Sequence, residues 1–358
     1  MAQKILPGLL QLHIKDELPE DFKILGVSRR DWDDAKLREH ISAALGGSPN
    51  LTPFLDRITF VQGDIVDDTL FAILAEQIGD KSAILYFSLS PALYTDAFLR
   101  LTESPLREKA QQLRLMIEKP FGTDAMSAKE LQKILTTTFD ESQLYRVDHY
   151  LAKEALIQLP QTDHGVLKQI EVYFMERDGV EGRGEFYDKV GALRDVGQNH
   201  ILEMLAVALG KANRVEMLEG LHVLMSNEIA EGTVRGQYEH YLQTRGVDPN
   251  STTETYFKIK TTYQGIQIVL EGGKRLGLNR KEIIFTHQNG SAHVLTVGSN
   301  TDRSEYERLI LECIRGEKTL FVSMREVDAL WRFIDPILHA WDKDSVPLKS
   351  YPLGAERV

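Results

Sequence analysis

The first 120 residues of the chain alternate patterns typical of helices with patterns typical of buried strands. Short apolar runs predict strands at 22–28, 58–61, 83–89 and 113–118, and helical patterns separate them. Strands that alternate with helices in this way favour a parallel sheet. Ligands of such sheets bind at the carboxyl ends of the strands. The sequence therefore predicts a dinucleotide-binding α/β domain over residues 1–147.

The beginning of the chain lacks one part of that architecture. A complete dinucleotide-binding domain begins with a strand and a glycine-rich turn that leads into the first helix. Residues 2–16 already have the pattern of that helix, with Ile5, Leu9 and Leu12 on one side. The pattern thus predicts an incomplete Rossmann-like domain. One hypothesis is that Met1 is an internal methionine and that the missing strand and turn are encoded upstream of it.

Two arginines follow the strand predicted at 22–28. Arg29 and Arg30 stand where a dinucleotide-binding domain selects its cofactor. An acidic residue at that position binds the ribose hydroxyl of NAD, whereas an arginine accommodates the additional phosphate of NADP. NADP is therefore the predicted cofactor, although a solvated pair of arginines would give the same pattern.

The pattern changes after about residue 166. Strands are predicted at 166–175, 255–261, 266–270, 283–287 and 294–297, and several of them alternate apolar with polar residues. That alternation is typical of an antiparallel sheet with one covered face. Helical patterns at 191–209, 304–314 and 323–341 accompany these strands. Residues 148–358 are therefore predicted to form an α+β domain with a large, mainly antiparallel sheet.

Composition excludes several classes of protein. The chain has 358 residues, of which 42% are apolar and 27% charged, as in soluble globular proteins. The net charge of −11 argues against nucleic acid or an anionic membrane as a partner. No apolar run approaches the ~20 residues of a membrane span, and no secretory signal is present. The single cysteine, Cys313, is predicted to be a core thiol in a reducing compartment, and we expect a cytoplasmic protein.

Reactive side chains are concentrated in two segments. Residues 144–154 read as a short strand followed by a helix that would place His149 and Lys153 on one face, where they could bind an anion. Residues 176–200 combine a glycine-punctuated loop with a polar helix start that ends at His200. Taken alone, each segment is better explained by a structural role: a solvated helical face for residues 144–154, and a satisfied core histidine for residues 176–200. A third position, Lys119, follows a strand directly and could be held in a ligand crevice by a cis bond to Pro120.

The order of four motifs carries a family resemblance. Glu118–Gly122 (EKPFG), Arg146–Glu154 (RVDHYLAKE), Glu181–Gly184 (EGRG) and Arg194–His200 (RDVGQNH) resemble the signature segments of glucose-6-phosphate dehydrogenase. The segments 251–255, 273–276, 306–311 and 351–354 extend the resemblance over nearly the whole chain. Each motif alone is modestly specific, whereas the ordered set is very specific.

The resemblance implies oxidation of glucose 6-phosphate to its lactone with hydride transfer to NADP, in the oxidative branch of the pentose phosphate pathway. It implies that His200 is the catalytic base and that Asp148 orients its imidazole. It also implies a homodimer and no metal site. The implied phosphate ligands are His149, Tyr150 and Lys153, the sugar ligands Lys119, Glu176, Asp195 and Lys274, and the cofactor ligands Lys4, Arg29, Ser90, Pro91 and Lys119.

The sequence departs from the family pattern in a few places. Ala152 replaces a usual glycine, and Asn279 takes the place of a second cation after Lys274, with Arg280 one residue on. The segments 158–165 and 287–305 are shorter than in typical members. Two alternatives remain open: a non-catalytic sugar-phosphate-binding relative that has lost the cofactor loop, and another oxidoreductase with a dinucleotide domain and an open sheet.

Overall fold

The computed structural model describes residues 4–46, 51–159, 165–210, 213–298 and 302–358. These residues form two units. The first comprises Met1–Gly122, Lys129–Ala152 and Thr301–Ser323, and the second comprises Thr123–Ala128, Lys153–Asn300 and Met324–Val358. The predicted boundary between residues 147 and 148 falls inside the first unit, which also includes a segment from late in the chain.

Strands and helices follow the chain in this order. The strands are β1 (Ile24–Ser28), β2 (Ile58–Gln62), β3 (Ala83–Phe87), β4 (Leu113–Glu118), β5 (Leu144–Val147), β6 (Leu167–Met175), β7 (Thr233–Tyr238), β8 (Tyr256–Tyr263), β9 (Ile266–Gly273), β10 (Arg280–His287), β11 (Ala292–Thr296), β12 (Phe321–Val322) and β13 (Leu348–Tyr351). The helices are α1 (Ile5–Ile14), α2 (Asp34–Leu45), α3 (Leu51–Leu55), α4 (Asp68–Ile78), α5 (Tyr94–Glu103), α6 (Leu106–Lys109), α7 (Ala125–Thr136), α8 (Glu154–Gln158), α9 (Gly184–Asp188), α10 (Leu202–Gly210), α11 (Arg214–Gly220), α12 (Ser226–Gly232), α13 (Glu305–Arg315) and α14 (Met324–Asp342).

The first unit contains the predicted parallel sheet strands. β1 pairs with β2, and β3, β4 and β5 pair in that order, all in parallel. The short strand β12 joins β5 from late in the chain and runs antiparallel to it. Local signals position the helices between these strands: the Asp33 carboxylate accepts a hydrogen bond from the backbone N–H of Lys36 at 2.8 Å and caps α2. The parallel α/β prediction is confirmed.

The segment that follows β5 differs from the sequence prediction. A single helix carrying His149 and Lys153 on one face is wrong, because His149–Ala152 is a 3₁₀ helix and Lys153 has an extended backbone (φ −73°, ψ 132°). The Asp148 carboxylate accepts the backbone N–H of Tyr150 at 2.9 Å, which favours the tight turn. α8 then begins at Glu154, so the side chains of His149 and Lys153 do not share a helical face.

A seven-stranded mixed sheet dominates the second unit. Its order is β11-β10-β6-β9-β8-β7-β13, in which the pairs β6–β9 and β7–β13 are parallel and the other pairs antiparallel. The predicted large, mainly antiparallel sheet is therefore confirmed. In the ranges described above, no helix has both the length and the apolar character needed to cross a membrane.

The helix predicted at 191–209 contains an unexpected wide turn. Leu193–Ile201 is a π-helix, and it continues into the α-helix α10. A Cβ added to Gly197 would lie 2.8 Å from the Phe257 ring, so the glycine allows the π-helix to approach the sheet closely. π-helical turns are rare in proteins, and those that occur often lie at functional sites.

Candidate active site

Glu176 and Lys274 leave the sheet of the second unit side by side. They follow β6 and β9, which are parallel neighbours with Met175 opposite Gly273. The Lys274 ammonium forms a short ion pair with Glu176 and lies 3.3 Å from the Asp195 carboxylate. Only 4% of Lys274 is exposed, so its charge is balanced by these carboxylates. The structure therefore brings together Glu176, Asp195 and Lys274.

Two residues that the sequence reasoning passed over complete this cluster. The Lys281 ammonium lies 3.2 Å from Glu176, and the Arg183 guanidinium lies 3.8 Å from Asp195. Burial acts to raise the pKa of Glu176, but the ammonium groups of Lys274 and Lys281 outweigh it and hold the pKa below its usual value. Glu176 is therefore an ionised hydrogen-bond acceptor at neutral pH.

His200 is held against the same sheet. It is 3% exposed, and its imidazole stacks on the Phe174 ring of β6, with ring centroids 5.6 Å apart and an interplanar angle of 21°. The π-helix bonds residue i to residue i+5, which places Asp195 and His200 one turn apart on one side of the helix. A packed imidazole next to a polar cluster is suited to proton transfer.

Lys153 is the other predicted cation of the second unit. It is buried, and its extended backbone leads directly into α8, which packs against α10. The position before a helix start is favourable for anions, because the first helical N–H groups point there.

In the first unit, Asp148, His149 and Tyr150 lie on the 3₁₀ turn or just before it. Asp148 and Tyr150 are buried, whereas His149 is partly exposed. The His149 imidazole stacks on the Tyr306 ring of α13, with centroids 6.0 Å apart. Ala152, the substituted glycine, packs with Leu309 of the same helix in a shared apolar cluster. Alanine at this position therefore contributes to the contact with α13.

A tyrosine and glutamate network supports His149. The Tyr306 hydroxyl donates to the Glu118 carboxylate at 2.7 Å, and the Tyr86 hydroxyl donates to the same oxygen. Burial and the charge of Glu118 raise the pKa of both phenols well above the ordinary value, so both remain donors. Glu118 and Tyr306 both belong to segments that resemble the family. That resemblance is the feature of the sequence from which their role could have been found.

Comparison with known proteins identifies the family. The model of the glucose-6-phosphate dehydrogenase NAD binding domain matches residues 1–158, and that of the C-terminal domain matches residues 156–302 and 293–357. The glucose-6-phosphate 1-dehydrogenase of Treponema pallidum (strain Nichols) is 30% identical over 99% of this chain and 89% of its own length. The chain belongs to the glucose-6-phosphate dehydrogenase family. The resemblance seen in the sequence is thus confirmed.

Solved structures agree with this family membership. The glucose-6-phosphate 1-dehydrogenase of Mycobacterium avium is 27% identical to this chain and superposes on it with a TM-score of 0.81. The match covers 99% of this chain and 92% of that chain. A glucose-6-phosphate dehydrogenase in complex with its substrate glucose-6-phosphate shares the fold with a TM-score of 0.86 at 24% identity, again over 99% and 92% of the two chains.

The predicted cofactor residues of this glucose-6-phosphate dehydrogenase family member lie in the first unit. Arg29 follows the carboxyl end of β1, has a side chain that is 79% exposed, and lies 3.6 Å from Asp64. Ser90 is exposed after β3, and Pro91 begins the 3₁₀ turn Pro91–Leu93. Lys4 is exposed, with its ammonium 5.6 Å from the Tyr306 ring centroid.

Lys119 follows β4 in the same unit of this family member. The Lys119–Pro120 peptide bond is cis, as the sequence reasoning allowed. β4 is parallel to β3 and ends next to it, so Lys119 leaves the sheet at the carboxyl edge. The exposed Arg29 and the partly exposed Lys119 thus both follow the carboxyl ends of parallel strands, where dinucleotides bind. The family model of the NAD binding domain spans both residues.

Proposed function

We propose that this chain oxidises the anomeric carbon of glucose 6-phosphate to the 6-phosphogluconolactone, with NADP as the hydride acceptor. The cluster of Glu176, Lys274 and Asp195 beside the buried His200 supports this proposal most directly. A sugar needs several donors and acceptors in fixed positions, and its oxidation needs a base for the hydroxyl proton.

In the proposed reaction, His200 removes the proton of the anomeric hydroxyl while the hydride leaves the same carbon. Asp148 orients the imidazole and stabilises the imidazolium, by analogy with carboxylates that support histidine bases elsewhere. Stacking on Phe174 keeps the His200 ring in one orientation, so less entropy is lost when the imidazole is aligned with the anomeric hydroxyl.

The remaining polar residues bind the substrate. His149, Tyr150 and Lys153 hold the phosphate, since donors and a buried ammonium suit an anion. Glu176 and Asp195 accept hydrogen bonds from sugar hydroxyls, whereas the ammonium groups of Lys119 and Lys274 donate to them. Binding through several groups places the anomeric carbon against the base.

NADP is the cofactor that the residues of the first unit fit best. The exposed Arg29 guanidinium suits the adenosine phosphate, and its pairing with Asp64 at 3.6 Å is weak enough to exchange. Ser90, Pro91 and Lys119 would border the nicotinamide, and Lys4 would meet the cofactor near α1. When bound, the nicotinamide supplies the acceptor for the hydride.

A homodimer, cytoplasmic location and a role in the pentose phosphate pathway complete the proposal. The homodimer and the pathway come from the family resemblance, and the cytoplasmic location comes from the single cysteine, Cys313, which suits a reducing compartment. Light scattering of the purified chain tests the dimer.

Absorbance of the reduced nicotinamide tests the proposed activity. Purified protein is mixed with glucose 6-phosphate and either NADP or NAD, and we expect reduction with a preference for NADP. Glucose and fructose 6-phosphate serve as controls for the phosphate and for the anomeric centre. Binding of glucose 6-phosphate without reduction of either cofactor would favour the non-catalytic alternative.

A further inference from the structure

Two successive cations of β10 occupy different environments. Successive side chains of a strand point to opposite faces, so Arg280 and Lys281 are separated by the sheet. The Arg280 guanidinium pairs with Glu282 at 2.5 Å and lies 3.6 Å from the centroid of the Tyr173 ring. The Lys281 ammonium instead lies 3.2 Å from Glu176. Of the two, Lys281 is the one that reaches the polar cluster.

Asn279 is used for backbone support. Its side-chain oxygen accepts the backbone N–H of Arg177 at 2.9 Å and so closes the end of β6 onto the start of β10. An amide engaged in this way supplies no charge to the cluster. Asn279 and Arg280 therefore bring no positive charge to the cluster, whereas Lys281 does.

Lys281 lies on the same face of the sheet as the candidate base. Its ammonium is 4.5 Å from the centroid of the Phe174 ring, and that ring stacks on His200. Lys281 is opposite Phe174 in the β10–β6 register, which explains the contact. The Lys281 side chain is 33% exposed and is therefore accessible to a ligand. The Lys274 side chain is only 5% exposed, so a ligand could contact it only at the ammonium group.

The cluster also has more donors than Glu176 needs. Two ammonium groups, from Lys274 and Lys281, approach its carboxylate, and each ammonium has three N–H donors. Lys274 uses a second donor direction for Asp195 at 3.3 Å. A partly exposed ammonium that shares an already paired carboxylate is well placed to donate to a hydroxyl group as well.

We propose that Lys281 is a sugar-binding residue, which donates to a hydroxyl of the hexose and holds the Glu176 carboxylate in place for it. This inference rests on the proposed function and adds a specificity-determining residue to it. Because Lys281 is proposed to contact a ring hydroxyl, its contribution to binding should be the same for glucose 6-phosphate and for free glucose.

The variant Lys281→Met removes the charge and keeps most of the side-chain volume. Loss of a charge-assisted hydrogen bond raises KM for glucose 6-phosphate by about 10-fold or more, with a similar factor in kcat/KM for free glucose and no change in KM for NADP. Lys281→Arg should recover part of the loss. Lys281→Gln serves as a second variant with a polar side chain.

Arg280→Met is the matched control, because it removes the neighbouring cation of the same strand. We expect its kcat/KM to stay within about two-fold of the wild type. Equal losses in Arg280→Met and Lys281→Met, or a Lys281→Met loss confined to the phosphorylated sugar, would overturn the inference. If the wild type itself reduces no cofactor with glucose 6-phosphate, the proposed function fails. If the wild type is active and the kinetic constants of Lys281→Met are unchanged, only the inference about Lys281 fails.

Discussion

The imidazole of His149 is stacked on the phenol ring of Tyr306, with an interplanar angle of 20° and ring centroids 6.0 Å apart. Tyr306 lies on α13, which comes late in the chain, and its hydroxyl is fixed by Glu118 at the end of β4. The orientation of a proposed phosphate ligand is thus set by a strand and a helix that are far apart in the sequence.

Tyr306→Phe and Tyr306→Leu separate the two contributions of this tyrosine. The phenylalanine keeps the stack and loses one hydrogen bond, so we expect KM for glucose 6-phosphate to rise by no more than about 3-fold. The leucine loses the stack and should raise KM by about 10-fold. Steady-state kinetics measures both values, and equal KM values for the two variants would show that the stack does not position His149.

Lys153→Ala should weaken binding of the phosphate ester specifically. Its buried ammonium before α8 is proposed to pair with the phosphate, and a charge-assisted bond of this kind contributes about 1.5–3 kcal/mol. We expect kcat/KM for glucose 6-phosphate to fall at least 10-fold while kcat/KM for glucose is nearly unchanged. Lys168→Ala, at an exposed position of β6, is the control. A comparable fall with glucose would argue against the role.

Glu176→Gln should change how stability depends on pH. Lys274 and Lys281 lower the pKa of Glu176 in the folded protein below its ordinary value of 4.5, even though burial opposes them. A lowered folded pKa stabilises the protein above the unfolded pKa, and this contribution is lost as pH falls through the folded pKa. The Tm difference between wild type and variant should therefore be largest above the unfolded pKa and shrink as the pH falls below it. A difference that grows on acidification would contradict the assignment.

Arg29→Ala should reduce the preference for NADP. Its exposed guanidinium at the end of β1 is proposed to bind the adenosine phosphate, so KM for NADP should rise about 10-fold with KM for NAD unaffected. Arg325→Ala removes another exposed arginine, whose side chain is 72% accessible, and should leave both KM values unchanged. Parallel changes for NADP and NAD would place Arg29 outside the phosphate site.

The sequence predicted the elements that depend on local signals. The alternation of apolar runs with helical patterns located the parallel strands and the helices between them. The single helix predicted at 149–153 was wrong, because helical periodicity does not reveal that the Asp148 carboxylate caps a tight turn at Tyr150. The π-helix at Leu193–Ile201 was also missed, since residue spacing alone does not distinguish a π-helix from an α-helix.

The candidate site was found by family resemblance more than by pattern. The resemblance supplied Glu176, Asp195 and Lys274, which the structure brings together. Lys281 was not predicted, because its contact with Glu176 depends on the register between β10 and β6. Pairing of strands that are far apart in the chain is not visible in a single sequence.

The most direct test of the account is the turnover of His200→Asn with glucose 6-phosphate and NADP, followed by absorbance of the reduced nicotinamide. Asparagine keeps a polar side chain but cannot accept the hydroxyl proton at neutral pH. Loss of a general base costs about 100- to 10,000-fold in rate. We predict a fall of that size in kcat, with the Kd of glucose 6-phosphate by calorimetry within a few-fold of the wild type. A kcat within a few-fold of the wild type would contradict the assignment of His200 as the base.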